Sequence, residues 1–163
     1  MSCKDEFVVR LEELLRERGE TVTTAESCTG GMLCARLTDI PGSSDVVKRA
    51  FITYCDEAKH EMLGVKKETL AEWTAVSSRT AFEMAQGAAC RAGAQAALSV
   101  TGYAGPPSVP DDPDNGLVYI GCFYRGNTTV MKYRFEGNRS CVREQAVDEA
   151  LMLLYAVMTG DKS

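Results

Sequence analysis

Apolar positions along this chain change period several times, and each change marks an element. From residue 4 to 18, Phe7, Val8, Leu11, Leu14 and Leu15 recur at helical spacing and Gly19 follows as a C-cap, which predicts an amphipathic helix. The β-branched run Thr21 to Thr24 predicts a strand over 21–25. Met32, Leu33, Ala35 and Leu37 return to helical spacing, giving a helix over about 28–39 that Pro41-Gly42-Ser43-Ser44 ends. Val46 to Tyr54 reads as a second strand, and Asp56-Glu57 opens a helix that runs to Leu63. A short helix is expected over 66–73, then a longer one over 78–93 with Ser77 as N-cap. Ala96–Thr101 is an apolar strand, and two more strands, 117–124 and 128–135, meet at Arg125-Gly126-Asn127 in a hairpin. A last helix over 139–158 turns Val142, Ala146, Ala150, Leu153, Leu154 and Val157 inward.

This order predicts an α/β fold. We expect a three-layer α/β/α sandwich around a mixed, mostly parallel sheet of about five strands, one of them antiparallel, in a single domain over 1–163. The 78–93 helix is small-sided, with Ala81, Ala85, Gly87, Ala88, Ala89 and Ala92. Such a face fits close packing on a sheet or self-association, so a homo-oligomer is one expectation.

Composition narrows the function classes. The 163 residues are 45% hydrophobic and 25% charged, ordinary globular values, and the net charge is -5. An acidic chain is not expected to bind nucleic acid or an anionic membrane in general. No apolar run nears the roughly 20 residues of a membrane helix and no secretory pattern opens the chain, so a cytoplasmic location is expected. The seven cysteines (Cys3, Cys28, Cys34, Cys55, Cys90, Cys122 and Cys141) are odd in number, form no Cys-x-x-Cys pair and mostly lie in apolar segments. They read as reduced, packed thiols rather than a zinc site. With His60 as the single histidine, a multi-histidine metal site is excluded and a serine hydrolase would need another base, lysine or tyrosine first.

The candidate chemistry centres on Ala25-Glu26-Ser27-Cys28-Thr29-Gly30-Gly31, where a strand stops and a helix pattern begins. Ser27 there reads either as the helix N-cap or as a nucleophile beside free backbone N–H groups that could hold an oxyanion. Gly30 and Gly31 would let a ligand approach the backbone, and Cys28 is a rival nucleophile whose pKa a helix end would lower. In α/β folds the carboxyl ends of parallel strands face one crevice. Two further strands end in Tyr54-Cys55-Asp56-Glu57-Ala58-Lys59 and in Thr101-Gly102-Tyr103-Ala104-Gly105. Lys59 is either an exposed, ion-paired lysine or a general base. Lowering a lysine from about 10.4 to about 7.5 costs about 4 kcal/mol. A helix end supplies about 0.3–1 kcal/mol of that, so desolvation must supply the rest. Tyr54 is either a strand-end aromatic in water or a relay for the serine proton.

Six motifs occur in order: Ala25 to Gly31, Asp39-Ile40-Pro41-Gly42-Ser43-Ser44, Tyr54 to Lys59, Leu63-Gly64-Val65, Ala75-Val76-Ser77 and Thr101-Gly102-Tyr103-Ala104-Gly105-Pro106. Together they resemble the C-terminal domain of the competence-damage-inducible protein CinA, over nearly the whole chain. The resemblance implies hydrolysis of the carboxamide of nicotinamide mononucleotide to nicotinate mononucleotide and ammonia, with no metal or other cofactor. It implies Ser27 as nucleophile with Tyr54 and Lys59 as activating partners. Thr29, Gly30 and Gly31 would supply backbone donors, and Thr101, Gly102, Gly105 and Arg139 substrate contacts, although Arg139 taken alone reads as a surface arginine.

Three stretches depart from the family pattern. Asn138 stands for an aspartate, and Trp73-Thr74 stands where His-Gly is frequent. A proline- and aspartate-rich loop, Pro107 to Asn115, replaces a glycine-rich segment followed by Lys-Pro. Such a loop is expected to repel a nucleotide phosphate if it borders the pocket. Two other functions fit the same residues: a non-catalytic nucleotide-binding or interaction module, and an amidase or esterase for another small substrate.

Overall fold

A computed structural model describes residues 3–106 and 112–160. Its elements are α1 (Cys3–Glu17), β1 (Val22–Glu26), α2 (Met32–Thr38), a 3-10 turn (Ser43–Asp45), β2 (Val47–Ile52), α3 (Asp56–Leu63), α4 (Lys67–Trp73), α5 (Ser78–Ala92), β3 (Ala96–Gly102), β4 (Leu117–Tyr124), β5 (Asn127–Arg134) and α6 (Arg139–Thr159). Most bounds fall within a residue or two of the expected ones. The clear exception is α2, which starts at Met32 rather than near residue 28. Gly30 and Gly31 take φ 59 and 103, left-handed values that cannot belong to a right-handed helix. The part of the proline- and aspartate-rich loop at 107–111 lies outside the described residues.

The strands form one sheet in the order β2-β1-β3-β4-β5. Helical crossovers follow β1 and β2, so β1 pairs in parallel with both β2 and β3. No helix appears in the described part of the connection after β3, and β4 returns antiparallel. The hairpin then pairs β5 antiparallel with β4. Its two central residues, Arg125 and Gly126, take φ 47 and 91, the positive values of a tight primed turn. The sheet is therefore mixed, as expected, but its ladders divide evenly into two parallel and two antiparallel.

Side-chain alternation along the strands loads both faces. Val22, Leu98, Val100, Val118 and Ile120 pack with α1, α2 and α6, among them Leu11, Leu15, Leu33, Leu37 and Leu154. Ala25 and Ala97 face the other way, onto Leu63, Val65, Met84, Ala88 and Ala89 of the α3–α5 side. The small side of α5 is consumed here. A Cβ on Gly87 would lie 1.9 Å from the Leu63 carbonyl oxygen, and Ser99 Oγ donates to the Ala81 carbonyl at 2.6 Å. Close packing inside the chain accounts for these residues, so they no longer argue for self-association. Thr74 closes α4 at φ 63, a conformation that glycine holds without strain. Among the described residues, no helix is long and apolar enough to cross a membrane.

One buried charge works against this core. Glu12 of α1 has no exposed surface, and among the described residues its Oε2 meets only Arg16, at 3.4 Å, and its Oε1 has no partner. Burial pushes its pKa up to about 7, against the pull of Arg16. Below about pH 4.5 the carboxyl is neutral in both folded and unfolded chains and costs nothing. Between there and pH 7 the unfolded chain releases its proton first, so stability falls as pH rises, by on the order of 3 kcal/mol in all. Urea unfolding at pH 5 and pH 8 should show Glu12→Gln gaining clearly more on the wild type at pH 8 than at pH 5. An equal difference at both pH values would contradict this account.

Candidate active site

The strand β1 ends in a carboxylate, and that carboxylate shapes the turn after it. Glu26 is fully buried. Its Oε2 accepts the N–H groups of Gly31 and Leu33, both at 3.0 Å, and its Oε1 accepts Cys34 N–H at 2.9 Å and the Thr24 hydroxyl at 3.2 Å. An anion thus caps α2 from the strand below, where the helix dipole favours it, and Gly31 contributes no side-chain cap of its own. Ser27 is therefore relieved of capping, one of its two expected roles.

Bonds within this turn occupy two of the three expected oxyanion donors, Gly30 and Gly31. Gly31, Leu33 and Cys34 give their amides to Glu26, and Gly30 N–H closes the turn onto Ser27 O at 3.1 Å. Thr29, Gly30 and Gly31 do not line the cleft beside Ser27. A Cβ on Gly31 would meet Ile52 Cδ1 at 3.2 Å, so the glycines serve the turn and its packing. The Cys28 N–H bonds no other described residue, and Cys28 borders the cleft. Arg143 of α6 holds the other side of the turn, its Nε donating to Cys28 O at 3.0 Å and its Nη2 to Thr29 O at 2.8 Å. Burial pushes the Cys28 thiol up to about 11, with Arg139 and Arg143 partly offsetting it, opposite to the lowering expected of a rival nucleophile.

Lys59 is buried, 1% exposed. Its Nζ lies 3.2 Å from Ser27 Oγ and 3.0 Å from the Thr53 carbonyl, and Thr53 N–H is held in turn by Glu26 O at 2.8 Å. Burial lowers the Lys59 pKa, while Asp56, Cys55 and Cys28 pull the other way. The alternative of an exposed, ion-paired lysine does not hold. His60 lies elsewhere on α3, its Nδ1 2.8 Å from Val65 O.

The cleft has a volume of about 510 Å3 and opens at the carboxyl ends of β2, β1 and β3. Ser27, Tyr54, Lys59, Thr101, Gly102, Gly105 and Arg139 all border it. Tyr54 is 61% exposed, and its hydroxyl accepts from Arg139 Nη2 at 2.9 Å rather than meeting Ser27 or Lys59. Arg139 Nη1 donates to Gly105 O at 2.6 Å, tying α6 to the loop after β3. Thr101 turns its hydroxyl onto Ala75 O at 2.6 Å. Asn138 caps α6 by accepting Cys141 N–H at 3.1 Å, which keeps Arg139 in its first turn. A larger groove of about 760 Å3 among α4, α5 and β5 contains no serine or cysteine bonded to a base.

Sequence reasoning missed Glu26, Arg143 and the Thr53 carbonyl. Glu26 was visible as an acid at a strand end, but only the turn's path shows which amides it receives. Arg143 follows Arg139 by four residues on one helix face, which was the available signal.

The model of the CinA C-terminal domain matches residues 4–158. A CinA-like protein of Syntrophobacter fumaroxidans is 47% identical over 151 residues, covering 93% of this chain and 36% of that relative. A putative competence-damage inducible protein of Acetivibrio thermocellus is 47% identical over 135 residues, covering 83% of this chain and 33% of that relative. The chain thus spans about a third of the length of these curated relatives. Among solved structures, the competence/damage inducible protein CihA from Agrobacterium tumefaciens superposes with TM-score 0.91 at 41% identity, covering 96% of both chains. The competence damage-inducible protein A from Klebsiella pneumoniae superposes with TM-score 0.92 at 35% identity, covering 99% of this chain and all of that one.

Replacing Glu26 by Gln exchanges an acceptor oxygen for an NH2 group that faces amide donors. The change should cost about 2–4 kcal/mol of stability in urea unfolding. It should also speed hydrogen exchange at Gly31, Leu33 and Cys34 more than in the sheet. Uniform exchange rates across the fold would refute a local capping role.

Proposed function

The chain belongs to the CinA C-terminal domain family, and from that premise we propose that it is a serine amidohydrolase acting on a pyridine nucleotide carboxamide. Nicotinamide mononucleotide is the substrate that the family resemblance implies, with nicotinate mononucleotide and ammonia as products. The observation that carries this reading is the 3.2 Å contact between Lys59 Nζ and Ser27 Oγ, made where the lysine is buried.

In the proposed sequence, neutral Lys59 accepts the proton of Ser27 as Oγ attacks the carboxamide carbon. The carbonyl oxygen becomes an oxyanion facing the Cys28 N–H, on the residue after the nucleophile. Lys59 then returns the proton to the departing nitrogen, ammonia leaves, and an acyl ester remains on Ser27. Water attacks that ester with Lys59 again as base, giving the carboxylate and restoring the serine. Arg139 ties Tyr54 to Gly105 across the cleft, so in this scheme Tyr54 belongs to the wall that positions the substrate rather than to the proton path.

Two outcomes test this. Ser27→Ala and Lys59→Met should each reduce ammonia release from nicotinamide mononucleotide at least about a thousandfold while leaving the circular dichroism spectrum unchanged. Lys59→Arg should fail to restore it, because a guanidinium stays protonated and cannot act as base. Activity retained in any of the three would remove the assigned roles, and binding without turnover in the wild type would favour the non-catalytic module.

The pH profile supplies a second check. Because burial lowers the Lys59 pKa, the active neutral form appears below the ordinary lysine range. The rate should climb as pH rises through that lowered pKa and then level off. A rate that falls across the same range would rule out Lys59 as base.

A further inference from the structure

The charge around the Ser27 cleft is of the wrong sign for a phosphate. Asp56, at the start of α3, and Asp112 and Asp114, in the described part of the loop before β4, all border it. Asp112 is fixed there by a turn of its own, its Oδ1 accepting Asp114 N–H at 2.9 Å. Among the described residues, the cations bordering the cleft are Lys59 and Arg139. Lys59 is buried and its Nζ meets Ser27 Oγ and Thr53 O. Arg139 directs two N–H groups at Gly105 O and the Tyr54 hydroxyl. Arg143 stands outside the cleft, turned onto Cys28 O and Thr29 O. A phosphate monoester brings a charge of about -1.5 to -2 at neutral pH into this surrounding.

The walls suit a different charge. Tyr54 and Tyr103 border the cleft with 61% and 44% of their surfaces exposed. Exposed aromatic faces beside carboxylates attract a flat, positively charged ring, by the ring quadrupole and by direct charge. A nicotinamide joined to ribose through its ring nitrogen is such a cation.

We propose that this cleft selects pyridinium carboxamides that lack a phosphate monoester, taking the nicotinamide nucleoside in preference to its mononucleotide. The proposal rests on the cleft being the substrate site of the reading above, keeps its pyridinium carboxamide chemistry, and replaces the mononucleotide by the nucleoside as the preferred substrate.

Calorimetric titration of the Ser27→Ala protein with nicotinamide riboside and with nicotinamide mononucleotide separates selection from turnover. At low salt the riboside should bind at least about tenfold more tightly, and added salt should shrink that ratio because the interaction is charge-based. Adding Asp112→Asn and Asp114→Asn on the same background should tighten the mononucleotide about tenfold. Equal or tighter binding of the mononucleotide by the unmodified cleft, a ratio that ignores both aspartates, or no binding of either compound overturns the proposal. Ammonia release by the wild type is measured in parallel. If the riboside is preferred in binding but neither compound is hydrolysed, the hydrolase reading falls and the selectivity stands.

Discussion

A buried carboxylate on three backbone amides organises the reactive end of this protein. Glu26 ends β1, and its oxygens gather the amides of Gly31, Leu33 and Cys34 with the Thr24 hydroxyl. Charge-assisted bonds of this kind are about twice as strong as neutral ones, and here they are shielded from water. They bring α2 down onto the strand, force the chain through two left-handed glycines, and leave Ser27 at the bend. The Glu26 carbonyl also holds Thr53 N–H, so the same residue sets the strand end whose carbonyl receives Lys59.

Lys59 shows how the fold opposes two electrostatic terms. Burial disfavours its charged form, and Asp56 favours it, with burial the larger. The lysine reaches Ser27 from the helix after β2, while the serine follows β1, so the pair exists only because β1 and β2 are parallel neighbours. α6 completes the arrangement from outside the sheet. Its Arg143 fixes the carbonyl side of the turn and its Arg139 bridges two walls of the cleft. One helix therefore sets both the turn and the mouth.

Elements with a strong internal signal were legible in the chain. Periodicity located the helices and strands, turn residues located the hairpin, and Ser77 was named as the cap of α5. The strand ends named Ser27, Tyr54, Lys59 and Thr101, and all four border one cleft. The even division of the ladders was not legible, because periodicity reports which residues face inward and not which way the neighbouring strand runs. The start of α2 was misplaced for a related reason. Local pattern allows a helix after Ser27, but it cannot register a carboxylate that draws the amides into another path.

What the sequence by itself determined is the set of elements and the cast of reactive side chains, since these follow from local spacing and residue chemistry. Only the tertiary structure decided their partners. It gave the amides to Glu26 instead of leaving them open, joined Lys59 to Ser27, turned Tyr54 toward Arg139, and set Asp112 and Asp114 beside the cleft. Hydrogen bonds and charge effects act over a few ångströms between residues distant in the chain, so they exist only once the sheet has brought its strand ends together.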